Sequence, residues 1–330
     1  MNTCARAASK IAPAVRAMLQ NTHVAEDPQE QARLSRLKPD EQQRVAYQLL
    51  ASPKSSVRRA QVELIQAKHA EDVARVAATA QPLECLRHGD CREVLRELQP
   101  ESVRLLLTDP PYGMAYRSGA LDMASGISTI VGDESLESAT ELLAGMLEAI
   151  DHAMCPRCHL LVFTNWRAEP HFRQVIEAAG YEIRASLVWD KSRPNPGDFT
   201  GFAPSHERII HASRGHAPVE PRPNDVLRYD RVNVKVSNHP AQKPLDLLSR
   251  LIDVTTKPTD LVCDPFAGSG STLEAALTMG RRAFGIEFQH EHYIGALKRL
   301  HDRNTTAPVH EQPAWHIMDG AAPQPLALAG

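Results

Sequence analysis

Aromatic residues are scarce in this sequence, and neither sign of charge dominates it. Phe, Trp and Tyr together make up 5% of the 330 residues, and the formal net charge at pH 7 is -3. This balance excludes overall basicity as the basis of binding to nucleic acid, so any basic groove must be local. Each aromatic side chain that stands next to a motif is therefore a stronger candidate for a ligand contact.

Paired cysteines and long apolar runs are also missing. The six cysteines are scattered without forming a disulfide framework, which is typical of a protein from a reducing cytoplasm. No apolar stretch is long enough to span a bilayer, and residues 1–20 lack the continuous apolar core of a secretory signal. The stretch from Cys155 to Cys158 has no second Cys pair, so we interpret it as a turn rather than a zinc site. We expect a cytoplasmic protein with neither a membrane partner nor a metal.

Apolar periodicity divides the chain into a helical part and an α/β part. Residues 1–82 show helical spacing without strand-like alternation, which predicts a helical N-terminal appendage. In residues 83–305 short apolar runs alternate with helical patterns, which indicates a mostly parallel sheet covered on both faces. Residues 306–330 are rich in Pro and Ala and predict a flexible tail. The predicted strands are 103–108, 159–164, 182–189, 207–212, 261–264 and 282–287.

Two prolines fix an extended backbone directly after one predicted strand. The run 103–108 is followed by Asp109, Pro110, Pro111 and Tyr112. Ligands of open α/β sheets bind at the carboxyl ends of strands, so Asp109 stands at a candidate site. Its carboxylate and the rigid carbonyl of Pro110 are two acceptors, which together suit an NH2 group with two donors. The alternative is a rigid strand-to-loop turn that has no chemical role.

Such a pair of acceptors suits the exocyclic amine of adenine or cytosine. The lone pair of this amine is spread into the ring, which makes the nitrogen a poor nucleophile. Two acceptors on its hydrogens localise the lone pair and allow attack on a sulfonium methyl, while Tyr112 offers a flat face for the base. A base inside a duplex cannot reach such a pocket and must be rotated out.

A glycine-rich loop follows a second predicted strand. Gly268 and Gly270 come after the run 261–264 and precede a predicted helix, where a ligand can approach the backbone closely. Leu273 stands where a dinucleotide fingerprint has its third glycine, and no Gly-Lys-Ser/Thr sequence is present, so a P-loop is excluded. Glu287 ends the next strand and can accept both ribose hydroxyls of a nucleoside. A surface glutamate at a strand end is the alternative.

With these motifs placed, residues 83–303 resemble the permuted, beta-class DNA amino-methyltransferases, in which the catalytic motif precedes the cofactor motif. The resemblance implies the Rossmann-like sheet of a methyltransferase that uses S-adenosylmethionine. The motifs that carry it are Arg87 to Asp90, Asp109 to Tyr112, Trp189 to Lys191, Asn238 to Pro244, Asp264 to Thr272 and Gly285 to Glu287.

The resemblance also implies roles for individual residues. Asp109, Pro110, Pro111 and Tyr112 would form the catalytic motif, and an initial Asp is typical of adenine enzymes. Gln289 replaces an acid that the family often has, and Ser271 replaces a commoner Thr, but neither departure removes an essential group. The residues implied to contact S-adenosylmethionine are Asp90, His239, Asp264, Phe266, Gly268, Gly270 and Glu287.

The function that follows is site-specific methylation of the N6 amine of a flipped adenine in duplex DNA. N4-cytosine methylation is the nearest alternative, and a catalytically idle DNA-binding homologue is another. Methylation of RNA or of a protein glutamine fits poorly, because those enzymes tend to have Asn first and the unpermuted motif order. The resemblance further implies a bacterial or phage-encoded protein whose partners are double-stranded DNA, a second copy of the chain and a cognate restriction endonuclease.

An irregular segment, residues 191–238, interrupts the alternation of strands and helices. It is rich in Pro and Arg, and long irregular segments inside α/β domains usually serve binding. We interpret it as the target-recognition insert, with an ordinary loop as the alternative. In the N-terminal appendage, Lys54, Arg58 and Arg59 are weaker candidates for phosphate contacts, with a solvated helix face as the alternative. The candidate DNA-contacting residues of the insert are Arg214, Arg222, Arg228, Arg231 and Lys235.

Overall fold

The structure is a computed structural model, and it describes residues 9–79, 83–113, 133–192, 202–232 and 242–306. The chain divides into two compact units with a boundary at Arg75, whereas the sequence suggested a boundary at residue 82. The predicted tail beyond residue 306 lies outside the described residues. No helix within the described ranges is both long and apolar enough to cross a bilayer.

The N-terminal unit is helical and has its own apolar core, which includes Val15, Leu34 and Leu49. Prolines open three of its helices, where the absent N–H would have had no intrahelical partner. The helices are α1 (Pro13–Leu19), α2 (His23–Glu26), α3 (Pro28–Leu34), α4 (Pro39–Ala51) and α5 (Val57–Thr79), the last of which runs past Arg75.

The second unit is built on an eight-stranded sheet with the order β1-β8-β7-β2-β3-β5-β4-β6. β5 is antiparallel to β3 and β4, and the other described strand pairs are parallel, which confirms the mostly parallel sheet expected from the sequence. The strands are β1 (Leu86–His88), β2 (Val103–Thr108), β3 (Met154–Thr164), β4 (Glu182–Asp190), β5 (His206–Arg214), β6 (Val226–Arg228), β7 (Leu261–Asp264) and β8 (Arg282–Glu287).

Helices accompany this sheet and share its apolar core. α7 begins after Ser135, whose hydroxyl accepts a hydrogen bond from the backbone N–H of Ser138 at 3.1 Å. Its Leu143 and Met146 are fully buried in one cluster with Leu106 of β2. The helices are α6 (Cys91–Val94), α7 (Leu136–Ile150), α8 (Glu169–Ala178), α9 (Leu245–Thr255), α10 (Ser271–Thr278) and α11 (His290–Thr306).

The position of β7 beside β2 determines where a ligand can bind. From β2 the chain proceeds to β3 on one side, whereas from β7 it proceeds to β8 on the other. The strand order therefore reverses between β2 and β7, and such a reversal leaves a crevice at the carboxyl ends of the two strands. Cys263 of β7 pairs with Leu106 of β2, so the residues that follow both strands lie at the same edge.

Two expectations about local structure were wrong. The stretch from Cys155 to Cys158 lies within β3 and is not a turn. The pairing of β3 with β2 skips from Met154 to His159, so Pro156, which has no N–H to donate, needs no ladder partner on β2. Within the insert, β5 confirms the predicted strand 207–212 and extends it to residues 206–214, whereas residues 226–228, expected to be irregular, form β6.

Candidate active site

Tyr112 and Asp109 form a closed turn directly after β2. The Tyr112 hydroxyl donates a hydrogen bond to Asp109 Oδ1, and the backbone N–H of Tyr112 donates to Asp133 Oδ1 at 3.0 Å. Burial, and next the charge of Asp109, raise the pKa of Tyr112 well above its usual value, so the phenol stays a donor. At Gly113, φ is +68°, and an added Cβ would lie 2.3 Å from the Leu136 backbone. The turn is thus fixed by hydrogen bonds and by close packing.

A buried network of two acids and two lysines adjoins this turn. The ammonium of Lys243 donates to Asp109 Oδ2 and lies 3.3 Å from Glu207 Oε2. Glu207 Oε1 accepts a hydrogen bond from Lys191. Burial alone would lower the pKa of Lys243, but Asp109 and Glu207 outweigh it and the pKa is raised. Burial would likewise raise the pKa of Glu207, but Lys243 and Lys191 outweigh it and the pKa is lowered. Lys243 and Glu207 are therefore both charged at neutral pH.

The strand that carries the glycine loop is bonded directly to the strand that carries Asp109. The Thr108 hydroxyl of β2 donates to Asp264 Oδ1 of β7 at 2.8 Å, and the backbone N–H of Phe266 donates to the same oxygen at 3.2 Å. Asp264 is buried, and burial raises the pKa of its carboxyl to about 6 in spite of hydrogen bonds from Thr272 and Thr108. Asp264 thus joins the two strand ends and shapes the loop that follows it.

Glu287 holds the glycine loop from the neighbouring strand β8. Its Oε2 accepts from the backbone N–H of Gly268 at 2.8 Å, and its Oε1 accepts from the backbone N–H of Gln289 at 2.8 Å. Each carboxylate oxygen can accept a second hydrogen bond, so capacity for a ligand remains. The backbone N–H of Gly89, after β1, donates to the carbonyl of Glu287 at 3.1 Å.

Glycines of the loop and of β8 allow the backbone to turn and to pack closely. One of them, Gly285, lies on the strand rather than on the helix, where a dinucleotide fingerprint has its third glycine. Gly268 and Gly270 have φ values of +51° and +75°, in the left-handed region that favours glycine. An ideal Cβ on Gly285 would lie 2.6 Å from Leu273 Cδ1. The close approach of helix to strand, for which a dinucleotide fingerprint uses its third glycine, therefore depends here on Gly285 of β8, and Leu273 fills the space.

Asp90 lies at the same edge, directly after β1. It accepts a hydrogen bond from the backbone N–H of Arg92 at 2.9 Å and forms an ion pair with the Arg92 guanidinium at 2.6 Å. The hydrogen bond from the Arg92 side chain lowers the pKa of Asp90. Because His88 of β1 pairs with Glu287 of β8, Asp90, two residues after β1, lies at the same edge of the sheet as Glu287.

The structure separates the arginines proposed for DNA contact. Arg214 ends the antiparallel strand β5 and thus lies at the edge opposite to Asp109, where its guanidinium binds Asp151 at 2.5 Å and lies 4.3 Å from the Tyr181 ring centroid. Arg228 ends the parallel strand β6 at the same edge as Asp190, with a side chain that is 79% exposed. Arg222 precedes β6 and Arg231 follows it. Lys235, also proposed for DNA contact, and His239, proposed for the cofactor, lie outside the described residues.

Sequence reasoning missed several residues of this site. Lys243 lay in the stretch 239–244, which the resemblance implied to pack beside the cofactor, and had no role of its own. Glu207 only opened a predicted strand, so neither residue offered a signal of its pairing. Trp166 was not singled out either, yet it follows β3, the parallel neighbour of β2, at the same edge of the sheet as Asp109, and is 70% exposed. No group of three or more His, Cys, Asp and Glu side chains suited to a metal occurs in the part of the chain that the structure describes.

Solved structures show which fold class this sheet defines. The complex of M1.HpyAVI with SAM aligns with a TM-score of 0.51 at 23% identity, covering 65% of this chain and 98% of the other. The PvuII DNA methyltransferase, named as cytosine-N4-specific, aligns with a TM-score of 0.52 at 15% identity, covering 66% and 90%. The fold is therefore the mixed α/β fold of DNA methyltransferases.

Sequence comparison gives the family. The chain belongs to the N6/N4 DNA methylases, because the family model described as DNA methylase matches residues 103–298. The protein named methylase YubD of Escherichia coli K12 is 32% identical over 212 residues, which cover 64% of this chain and 88% of that protein. Type II methyltransferase M2.DpnII of Streptococcus pneumoniae is 27% identical over 245 residues, covering 67% and 91%.

Proposed function

We propose that this protein transfers a methyl group from S-adenosylmethionine to the N6 amine of an adenine that has been rotated out of duplex DNA. The observation that carries the proposal is the hydrogen bond between Thr108 and Asp264, which joins the end of the Asp109 strand to the end of the glycine-loop strand. The amine clamp, which consists of Asp109, Pro110 and Tyr112, and the glycine loop for a nucleoside cofactor would thus share one crevice.

The described residues fit S-adenosylmethionine. The glycine loop presents backbone in the left-handed region without a Lys for a pyrophosphate, which suits a nucleoside that carries no phosphate. Glu287 and Asp90 would bind the adenosine part, while Phe266 and Gly270 would line the methionine part. When bound, this cofactor supplies an electrophilic methyl carbon whose bond to sulfur breaks as the bond to nitrogen forms, leaving a neutral thioether.

The residues of the clamp orient the amine and receive its proton. Asp109 and the Pro110 carbonyl would accept the two hydrogens of the amine, which localises the nitrogen lone pair for attack. Once methylated, the nitrogen carries a positive charge and loses one proton, which the Asp109 carboxylate would accept and pass to solvent. Tyr112, whose ring packs against the core of the sheet domain, would give the base a rigid wall.

The exposed Trp166 supports binding of duplex DNA next to the clamp. The Asn165 side chain accepts from the backbone N–H groups of Arg167 and Ala168 at 2.8 and 2.9 Å, which fixes the turn that presents Trp166. The Arg167 guanidinium lies 5.0 Å from the Trp166 ring centroid, so a cation and a stacking surface occur together. Trp166 would stack on a base beside the gap left by the rotated adenine, and Arg228 and Arg231 would contact phosphates.

Methylation of cytosine N4 is the second candidate. It is favoured by the likeness of the fold to a cytosine-N4-specific enzyme, whereas the initial Asp of the clamp favours adenine. Pairing of two copies, a cognate endonuclease and a cytoplasmic location stay predictions of the family resemblance.

Expression in a host that lacks DNA methylation separates these functions. We expect N6-methyladenine among the nucleosides of the host DNA when they are analysed by mass spectrometry, and sequencing would show it at one recognition sequence. N4-methylcytosine without methyladenine would establish the second candidate. DNA that stays unmethylated, combined with tight DNA binding by the purified protein, would instead support a catalytically idle homologue.

A further inference from the structure

We propose that Lys243 takes the place of the substrate amine in the base-free protein and moves to Glu207 when a base enters the clamp. This inference rests on the proposed function, because it requires an amine that competes for Asp109. It assigns Lys243 and Glu207 as positioning residues, since neither would contact the reacting atoms during methyl transfer.

Both oxygens of the Asp109 carboxylate are already used by donors from the protein. Oδ1 accepts from the Tyr112 hydroxyl, and Oδ2 accepts from the Lys243 ammonium. An ammonium and an aromatic amine are both N–H donors, and the ammonium holds Oδ2 with a full positive charge. Each oxygen keeps a second lone pair, but a carboxylate that already neutralises an ammonium attracts the amine and its departing proton less strongly, so the amine binds Asp109 well only after Lys243 has moved away.

Glu207 offers the displaced ammonium a second acceptor close by. Its Oε2 is buried and, among the described residues, has no hydrogen-bond partner, although Lys243 lies 3.3 Å away. Its Oε1 is held by Lys191, which fixes the carboxylate in place. A small movement of Lys243 toward Oε2 would exchange one charged partner for another.

The surroundings of Lys243 make this exchange preferable to release into water. The residue is only 8% exposed, and its ammonium lies 4.9 Å from the centroid of the Phe163 ring. A buried ammonium without an anion is strongly unfavourable, and so is an unpaired carboxylate. Before the base arrives, Lys243 pairs with Asp109. After the base has bound, Lys243 pairs with Glu207, so its charge is balanced in both states.

Removal of Glu207's charge tests the exchange. In Glu207→Gln the ammonium has only Asp109 as an anionic partner, so we expect methyl transfer to slow about tenfold, with cofactor affinity unchanged. Addition of Lys243→Met would free Asp109 for the amine, so the double variant should methylate DNA at least about threefold faster than Glu207→Gln alone. Single-turnover methyl transfer and calorimetric cofactor binding provide the two measurements.

Lys191 is the matched control. It pairs with the same glutamate, and the structure gives it no bond to Asp109. The double variant Glu207→Gln with Lys191→Met has the same net charge as Glu207→Gln with Lys243→Met. In the Lys191 variant, however, Lys243 still occupies Asp109. We therefore expect no rescue from removing Lys191. If Glu207→Gln does not fold, Glu207→Asp replaces it in all three variants. Its shorter carboxylate ends farther from Lys243, and the two lysine removals still change the net charge by the same amount.

Specific rescue by Lys243→Met supports the exchange. Rescue by both lysine removals would show that charge balance alone matters and would overturn the proposal, and rescue by neither would also overturn it. In those cases an active wild-type protein leaves the proposed function intact. A wild-type protein that methylates no DNA would overturn both.

Discussion

The active site has a cofactor side, formed by the glycine loop with Asp264 and Glu287, and a clamp side, formed by the Asp109 turn with Glu207 and its lysines. The two sides hold their carboxylates in different ways. On the cofactor side, Asp264 and Glu287 accept hydrogen bonds from backbone N–H groups and hydroxyls of nearby residues. On the clamp side, Asp109 and Glu207 are paired with buried lysines. Acids held by neutral donors can fix the shape of a loop, whereas acids held by a mobile cation can change partners. The cofactor side is therefore suited to one geometry, and the clamp side to two.

Replacement of Asp109 should produce the largest effect. Asp109→Ala removes the acceptor for the amine and for its proton, so methyl transfer should fall by at least about a thousandfold. The cofactor loop is bonded through other residues, and its affinity for S-adenosylmethionine should change less than about threefold. Radiolabelled methyl transfer and calorimetry measure the two quantities. A loss of cofactor affinity as large as that in Gly268→Trp would show that the halves are not independent.

Asp264 tests the claim that this acid is held by neutral donors rather than by a cation. Burial raises its pKa to about 6 from an ordinary 3.8. The stability that this raised pKa contributes is complete below the ordinary value and is lost as the pH rises through about 6. Asp264→Asn cannot ionise, so its free energy of unfolding relative to wild type should increase by about 2 kcal/mol from about pH 4 to about pH 8.

Urea unfolding of both proteins at the two pH values measures this difference, in which the titration of all other groups cancels. A difference that does not depend on pH would show that Asp264 keeps its ordinary pKa in the folded protein.

Glu287 tests whether the acids of the cofactor side act in ligand binding rather than in methyl transfer. In Glu287→Gln one of the two backbone N–H groups, of Gly268 or Gln289, would face the new amide NH2 instead of an oxygen. We expect affinity for S-adenosylmethionine to fall about tenfold, with a smaller effect on the rate at saturating cofactor. Calorimetric titration measures the affinity. A fall in the saturated rate without a change in affinity would place Glu287 on the clamp side.

Among the predicted changes, the loss of stability in Gly285→Ala should be the smallest. Gly285→Ala places a Cβ 2.6 Å from the end of the Leu273 side chain, and we expect it to destabilise the protein by about 1 kcal/mol. Gly295→Ala is the matched control, because nothing lies within 4 Å of its added Cβ and it sits in helix α11, where Ala is favoured. Thermal unfolding should rank Gly295→Ala at or above wild type and Gly285→Ala below it. The reverse order would mean that Leu273 has room to move.

The strands of the cofactor side were largely predictable from the sequence because their burial produces a local apolar pattern. The bounds of β2, β7 and β8 agree with the apolar runs 103–108, 261–264 and 282–287. These strands are buried at nearly every position, so their apolar runs are continuous and end where polar residues begin.

The clamp side was not predictable in the same way. Lys243 and Asp109 are separated by 134 residues, and no local pattern indicates such a pair. Arg214 shows the same limit, because its position depends on the antiparallel direction of β5, which periodicity does not specify. The strands β1 and β6 have three residues each and are too short for a pattern to be recognised.

The most direct test of the shared crevice uses purified protein, unmethylated DNA and S-adenosylmethionine with a deuterated methyl group. Mass spectrometry of the nucleosides should show the label on N6 of adenine with wild type and no label with Asp109→Ala, while both proteins bind the cofactor equally well. Equal labelling of DNA by the two proteins would show that the turn after β2 is not where the amine meets the methyl group.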